Sequence, residues 1–239
     1  MRPFKRYGSA ARRRRRSWGW LPGGLALVLA VAVLAHRVGY HRPRRPVPRP
    51  ARAAAPAPRH ALPVTPLVEL ARAAGLRHDP IPHARLVVAK SELTLRFYAG
   101  NRLLKTYPVA LGFGGLGDKR RRDDGCTPEG EFRIVERSRQ DNPRTWRDLF
   151  MLLNYPLPED GARGVAAGLI DEEQRRAIVA AADRGRKPPQ DTALGSGIGI
   201  HIGGIDPPNW TQGCIALERQ DGIEVYEQVR AGTPVIVRR

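Results

Sequence analysis

Between residues 85 and 112 the hydrophobic positions fall into three short runs. The first run covers Leu86-Val87-Val88-Ala89 and continues to Lys90-Ser91-Glu92, Leu93-Thr94-Leu95-Arg96-Phe97 alternates, and Leu103, Leu104, Tyr107, Val109 and Leu111 follow. Runs of this length and period read as β-strands, and Ala99-Gly100-Asn101 reads as the hairpin turn between the second and third. A further strand is expected over Phe132 to Arg137. The turn Thr127-Pro128-Glu129-Gly130 introduces it, Pro fixing one dihedral and Gly permitting positive φ. Another strand ends at Asn154-Tyr155-Pro156, one carries the alternating Gly197-Ile198-Gly199-Ile200-His201, and Val235-Ile236-Val237 is the last. The pattern predicts a mostly β domain.

Helical spacing appears in three places. Thr65 and Pro66 predict the N-cap and first position of a short helix closed by Gly75. Residues 157–190 read as a helical insert, with a short helix over Gly161 to Leu169. A longer helix opens at Asp171-Glu172-Glu173-Gln174 with capping-box spacing and stops at Gly185. Its apolar face is Ile170, Ile178, Val179 and Ala182, with Arg175, Arg176, Arg184 and Arg186 mostly opposite. Lying directly before the His201 strand, the insert is expected to form the wall or lid of a cleft. A last helix opens at Asp221-Gly222-Ile223-Glu224, with Ile223, Tyr226 and Val229 inward.

Charge changes the picture at the N-terminus. Residues 1–60 hold 15 Lys and Arg and no Asp or Glu, whereas residues 61–239 hold 26 basic against 23 acidic. The net charge of +18 is therefore mostly a property of the tail. A nearly neutral folded part speaks against a nucleic-acid-binding domain, and no nucleic-acid partner is expected. Arg12 to Arg16 precede an uncharged apolar stretch, Ser17 to Ala35, near the ~20 residues that span a bilayer. The expected plan is a basic cytoplasmic tail over 1–16 and a membrane anchor over 17–38. A signal segment cleaved near Ala35 is the other reading of that stretch. A Pro/Arg-rich linker follows over 39–64, and the exported domain covers 84–238.

The candidate chemistry lies between Gly197 and Leu217. Cys214 follows Gly213, and His201 stands between a strand and the pair Gly203-Gly204. A cysteine nucleophile needs a base to form thiolate and a small neighbour that lets a carbonyl approach. Imidazole titrates near neutrality and can return the proton to a leaving amine. Backbone N–H groups of Gly213 and Cys214 would face the oxyanion. Thr211 and Gln212 complete the site loop, and Tyr155, Gly203, Gly204 and Trp210 are candidates for the cleft. Tyr155 is equally placed to be an aromatic core residue. The second cysteine, Cys126, could pair with Cys214 and so cap it; it is read as incidental, with a redox latch as the minor alternative. The six histidines show no ligand spacing, so no metal and no cofactor are expected.

Thr211, Gly213, Cys214 and Ile215, after the His201 strand, resemble the signature of the L,D-transpeptidase catalytic domain family of YkuD/ErfK type. Thr127-Pro128, Gly130 and Phe132 resemble a second family pattern, and Val109 to Gly112 a third. Gln212 departs from it where many members carry a second His, as does Ile202 where Gly or Ser is common. The resemblance implies a β-sandwich-like catalytic domain carrying the helical insert. It also implies a Cys214 thioester with a peptidoglycan tetrapeptide stem, passed to an amine acceptor. A backbone carbonyl orienting His201 is implied as well. Hydrolysis by an L,D-carboxypeptidase or amidase of the same fold is the alternative, and a catalytically silent wall-binding module is the reading from another class.

Overall fold

The computed structural model describes residues 65–76, 80–139 and 149–239. The tail, the apolar stretch over 17–38 and the linker lie outside them. Among the described residues no helix is long and apolar enough to cross a membrane.

Among the described residues the apolar runs become eight strands: β1 (Ala84–Ala89), β2 (Thr94–Ala99), β3 (Arg102–Pro108), β4 (Gly130–Arg139), β5 (Leu149–Leu153), β6 (Gly199–Ile202), β7 (Ile215–Leu217) and β8 (Pro234–Arg238). They form one sheet in the order β3-β2-β1-β8-β4-β5-β6-β7. The expected sandwich is thus two halves of a single sheet, and β4 belongs to both. Gly130 to Arg133 pair with β8, while Ile134 to Arg139 pair with β5 across an irregularity near Ile134. An irregularity of this kind bends a strand and lets one strand serve two faces. The chain beyond β3 then returns to the far edge: Ala110 N–H donates to Ala216 O at 2.9 Å and Ala216 N–H to Ala110 O at 2.8 Å. Leu86, Val88, Phe97, Phe132, Met151, Ile200, Ile215 and Val235 are buried between the halves.

Among the described residues four helices pack around the sheet: α1 (Leu67–Ala73), α2 (Pro158–Ala166), α3 (Glu172–Asp183) and α4 (Arg219–Gln228). Helix α1 begins after Pro66, whose carbonyl accepts the N–H groups of Glu69 and Leu70, so Thr65 lies outside it. Helix α2 begins three residues earlier than its spacing suggests. Pro158 occupies its first turn, and Asp160 Oδ2 accepts the Leu157 N–H at 2.7 Å. Burial lifts the Asp160 carboxyl to about 6, against the lowering by that N–H and by Arg163. In α3 the expected capping box is present, with Asp171 and Gln174 each accepting the other's backbone N–H.

Two departures have clear physical causes. The first strand stops at Ala89, because Lys90 is fully buried and a buried ammonium needs its donors filled. Its Nζ reaches Gly117 O at 2.7 Å, Thr127 O at 2.8 Å and Glu129 Oε1 at 3.0 Å, and a turn over Lys90–Glu92 carries it there. Helix α4 begins at Arg219 and turns Gly222 and Val225 inward, leaving Ile223 and Tyr226 half-buried. A Cβ on Gly222 would lie 2.3 Å from Ile202 Cγ2. The helix therefore sits directly on the strand that carries His201, and Glu224 pins it to β3 through Lys105 at 2.6 Å and Tyr107 OH at 3.1 Å.

Gly222→Ala is expected to destabilise the fold by about 1–3 kcal/mol through overpacking against Ile202. Thermal unfolding checks this, and an unchanged midpoint would mean that the helix has room to shift.

Candidate active site

Strands β6 and β7 run parallel, with Ile200 opposite Ile215 and His201 opposite Ala216. That register puts His201 and Cys214, the residue before β7, at one edge of the sheet. Both line a cleft of about 620 Å³ together with Lys119, Arg122, Asp123, Gly195 to Ile198, Trp210, Thr211 and Gln212.

His201 is held on three sides. Its Nδ1 lies 2.8 Å from Ile202 O. A carbonyl oxygen only accepts, so Nδ1 carries the proton and Nε2 of the neutral ring carries the lone pair. The Phe150 ring stacks on it at 6.1 Å and 10°, and the Trp210 ring meets it edge-on at 5.8 Å and 70°. Two glycines make room for these rings. A Cβ on Gly199 would lie 2.6 Å from Phe150 Cζ, and one on Gly203 would lie 2.8 Å from Trp210 Cζ2. Trp210 is fixed by its Nε1–H donating to Gly204 O at 3.1 Å. Gly203 and Gly204 thus shape the cleft by positioning Trp210. With only 3% of its surface exposed, the imidazole is poorly hydrated, and burial lowers its pKa despite the Ile202 carbonyl.

Cys214 sits at the end of a turn built by Thr211. The Thr211 hydroxyl donates to Cys214 O at 2.7 Å and accepts the Gly213 N–H at 3.2 Å. The Gly213 N–H is therefore engaged by Thr211 in the resting structure. Gly213 itself has φ +123°, and a Cβ there would lie 2.7 Å from Cys126 O, so this position admits glycine alone without strain. The Cys214 Sγ–H donates to Gly197 O at 3.3 Å. Burial pushes the thiol up to about 11, against smaller lowering contributions from the Gly199 backbone and the Lys119 charge. Thiol and imidazole are both neutral at pH 7.

The remaining expected residues separate. Gln212 is exposed on the rim. Tyr155 is buried away from the cleft, its OH donating to Leu194 O at 2.8 Å and its ring packing on Phe132. Of its two readings the core one holds. Cys126 and Cys214 are both free thiols. Helices α2 and α3 do not line the cleft; the segment after them, Gly195 to Ile198, does. Phe150 and Lys119 are site residues that the sequence pattern does not single out. The opposite wall is the charged loop after β3, where Lys119 Nζ meets Asp124 Oδ1 at 2.8 Å and Arg122 binds Thr192 O through Nε and Nη2.

A thiol and an imidazole at adjacent strand ends, opening into one cleft, define a cysteine–histidine site. The chain belongs to the L,D-transpeptidase catalytic domain family, whose model matches residues 83–237. YkuD of Bacillus licheniformis is 43% identical over 70 residues, which are 29% of this chain and 35% of that protein. Among solved structures, the helical cell shape determining protein Pgp2 of Campylobacter jejuni is 19% identical with a TM-score of 0.44, over 65% of this chain and 47% of that one. An L,D-transpeptidase of Mycobacterium tuberculosis is 17% identical with a TM-score of 0.39, over 66% and 58%. The match thus covers about a third of the Bacillus protein and about half of Pgp2.

Two predictions follow from the geometry. Alkylation of Cys214 by iodoacetamide, resolved by peptide mass, is expected to rise about tenfold per pH unit from pH 7 to 10. A plateau below pH 8 would reveal a preformed thiolate instead. Thr211→Val removes both hydroxyl bonds and is expected to cost about 2 kcal/mol and to slow alkylation at pH 9, while Thr211→Ser keeps both properties.

Proposed function

We propose that this protein is a peptidoglycan L,D-transpeptidase acting through a Cys214 thioester. The observation that supports it best is the fixed tautomer of His201, which leaves Nε2 as a proton acceptor in the cleft that holds the Cys214 thiol. The lowered imidazole pKa keeps that acceptor unprotonated at neutral pH.

The donor is a tetrapeptide stem, attacked at the carbonyl that follows an L-centre. The Sγ–H bond breaks, its proton passes to His201 Nε2, and sulfur bonds to the carbonyl carbon. The oxyanion is met by the N–H groups of Cys214 and Gly213, the latter leaving the Thr211 hydroxyl that holds it at rest. Collapse expels the terminal D-amino acid, whose nitrogen takes the proton from His201. An amine acceptor then gives up a proton to His201 Nε2 and attacks the thioester carbonyl; the C–S bond breaks and Nε2 returns that proton to Sγ, which restores the Cys214 thiol. Water as acceptor would convert the cycle into hydrolysis, the L,D-carboxypeptidase or amidase reading. A silent wall-binding module would leave the fixed base without a use. The basic run and apolar stretch over 12–35 support a reaction in the cell envelope, with residues 17–38 as a membrane anchor, or as a signal segment cleaved near Ala35, and the domain outside the cytoplasm.

Intact mass after incubation with a tetrapeptide-stem muropeptide tests this reading. The full chain should gain the stem minus its terminal residue, and Cys214→Ala should gain nothing. His201→Ala should slow adduct formation by about 10²–10⁴-fold. Cross-linked against hydrolysed product identifies the acceptor. Failure of the wild type to form an adduct or turn over would leave the binding-module reading in its place.

A further inference from the structure

The segment between α3 and β6 reaches the site through one side chain. Gln190 Oε1 accepts the Gly197 N–H at 2.8 Å. Its Nε2 donates to Tyr155 O at 3.1 Å and to Pro188 O at 3.0 Å. Gly197 has φ +66°, and its carbonyl, on the other side of the same residue, accepts the Cys214 thiol proton at 3.3 Å. One amide therefore ties the chain after β5, the chain after α3 and the residue that receives the thiol.

We propose that Gln190 is a positioning residue that fixes Gly197 so that the Gly197 carbonyl holds the Cys214 thiol in its protonated form until substrate enters the cleft. A carbonyl oxygen accepts from a thiol and repels a thiolate, so the contact favours S–H over S⁻. Gln190 achieves this from outside the cleft, because it is Gly197 and not Gln190 that lines the wall. The neighbouring anchors hold other residues of the segment: Tyr155 OH takes Leu194 O, and Arg122 takes Thr192 O and, through its own N–H, Ala193 O. Gly197 is exposed and a Cβ built on it would meet nothing within 4 Å, so no side chain packs against it on that side. Substrate entering between Gly197 and His201 would displace the thiol from the carbonyl and turn it toward Nε2. The inference rests on the proposed role of Cys214, but its first readout needs no turnover.

The test compares Gln190→Met, which keeps the length of the side chain without its hydrogen bonds, and Gln190→Ala with the wild-type chain. Cys214 alkylation by iodoacetamide is followed from pH 7 to 10, with Cys126 in the same digest as the internal reference. Both variants should alkylate Cys214 about three- to tenfold faster at pH 8, with Cys126 unchanged. Adduct formation with the muropeptide should fall about tenfold or more at saturating substrate, with the half-saturating concentration within about twofold of wild type. Fast alkylation with slow acyl transfer is the combination that a packing role does not produce. A wild-type alkylation profile in Gln190→Met would overturn the proposal. So would a parallel rise at Cys126, which marks general loosening, or slower alkylation of Cys214. If the wild type forms no adduct at all, the reading of the function fails while the alkylation profiles still decide the role of Gln190.

Discussion

The site depends first on the backbone pair between Ala110 and Ala216. His201 and Cys214 lie together at the β6–β7 end of the sheet, but the loop that carries the thiol is fixed from the other end. The chain leaving β3 brings Leu111, Gly112 and Phe113 across the last strand, and this crossing fixes the loop before Cys214. Leu111 N–H donates to Pro208 O, Thr211 N–H to Leu111 O and Phe113 N–H to Thr211 O, all at 2.9–3.0 Å. Small residues are required for so close an approach. A Cβ on Gly112 would fall 2.0 Å from Gly125 O and 3.0 Å from Gly213 Cα. The glycines thus allow three pieces of backbone to meet where one side chain would hold them apart.

The closure also sets the electrostatics. A cysteine before a short strand, covered by the 195–198 segment and the charged loop, loses hydration, and so does an imidazole between Phe150 and Trp210. Desolvation moves an acid up and a base down, so both partners rest neutral. A preformed thiolate–imidazolium pair would need these groups to favour charge, and burial works the other way. In the proposed reaction the nucleophile would then form as the substrate arrives, with proton transfer to Nε2 coupled to attack. The basic wall does little to change this balance. Lys119 is matched by Asp124, which also accepts the N–H groups of Arg120, Arg121 and Cys126, and Arg122 is spent largely on Thr192 O. Its cations serve first to tie two loops together.

Much of this was legible in the sequence. The strands were visible because their apolar runs are short and bounded by Gly, Pro and Asn. The capping box at Asp171 was visible because local spacing alone determines it. Cys214 and His201 stood out because a thiol after glycine and a histidine in a glycine-rich strand carry chemistry in their residue types. What stayed hidden was set by contacts distant in sequence. Phe150 reaches His201 through the register of β5 on β6, which periodicity does not encode. Lys90 looked like a residue at the end of a strand, and only the fold gives its ammonium three acceptors. Tyr155 had two readings because an aromatic near a site and an aromatic in a core have the same local pattern. The Gly222 face of α4 was misjudged for a related reason. Hydrophobic spacing favoured Ile223 and Tyr226, while the steric demand of Ile202 selected the glycine.

These contacts divide the labour between parts of the chain that look alike in composition. The helical insert reads as a lid by its position, yet α2 and α3 leave the cleft to the short segment that follows them. That segment is suspended from fixed points: Tyr155 on Leu194, Arg122 on Thr192 and Gln190 on Gly197. The insert in turn is tied to the charged loop through Arg163, which meets Asp118 at 3.1 Å and also Asp160. Asp118 accepts the Glu129 N–H at 2.8 Å, and Glu129 is the carboxylate on Lys90. A continuous polar chain therefore runs from the base of β1 through the charged loop to the insert, around the outside of the cleft. The insert holds the wall in place from behind, and Gln190, which does not touch the thiol, bonds the residue whose carbonyl does.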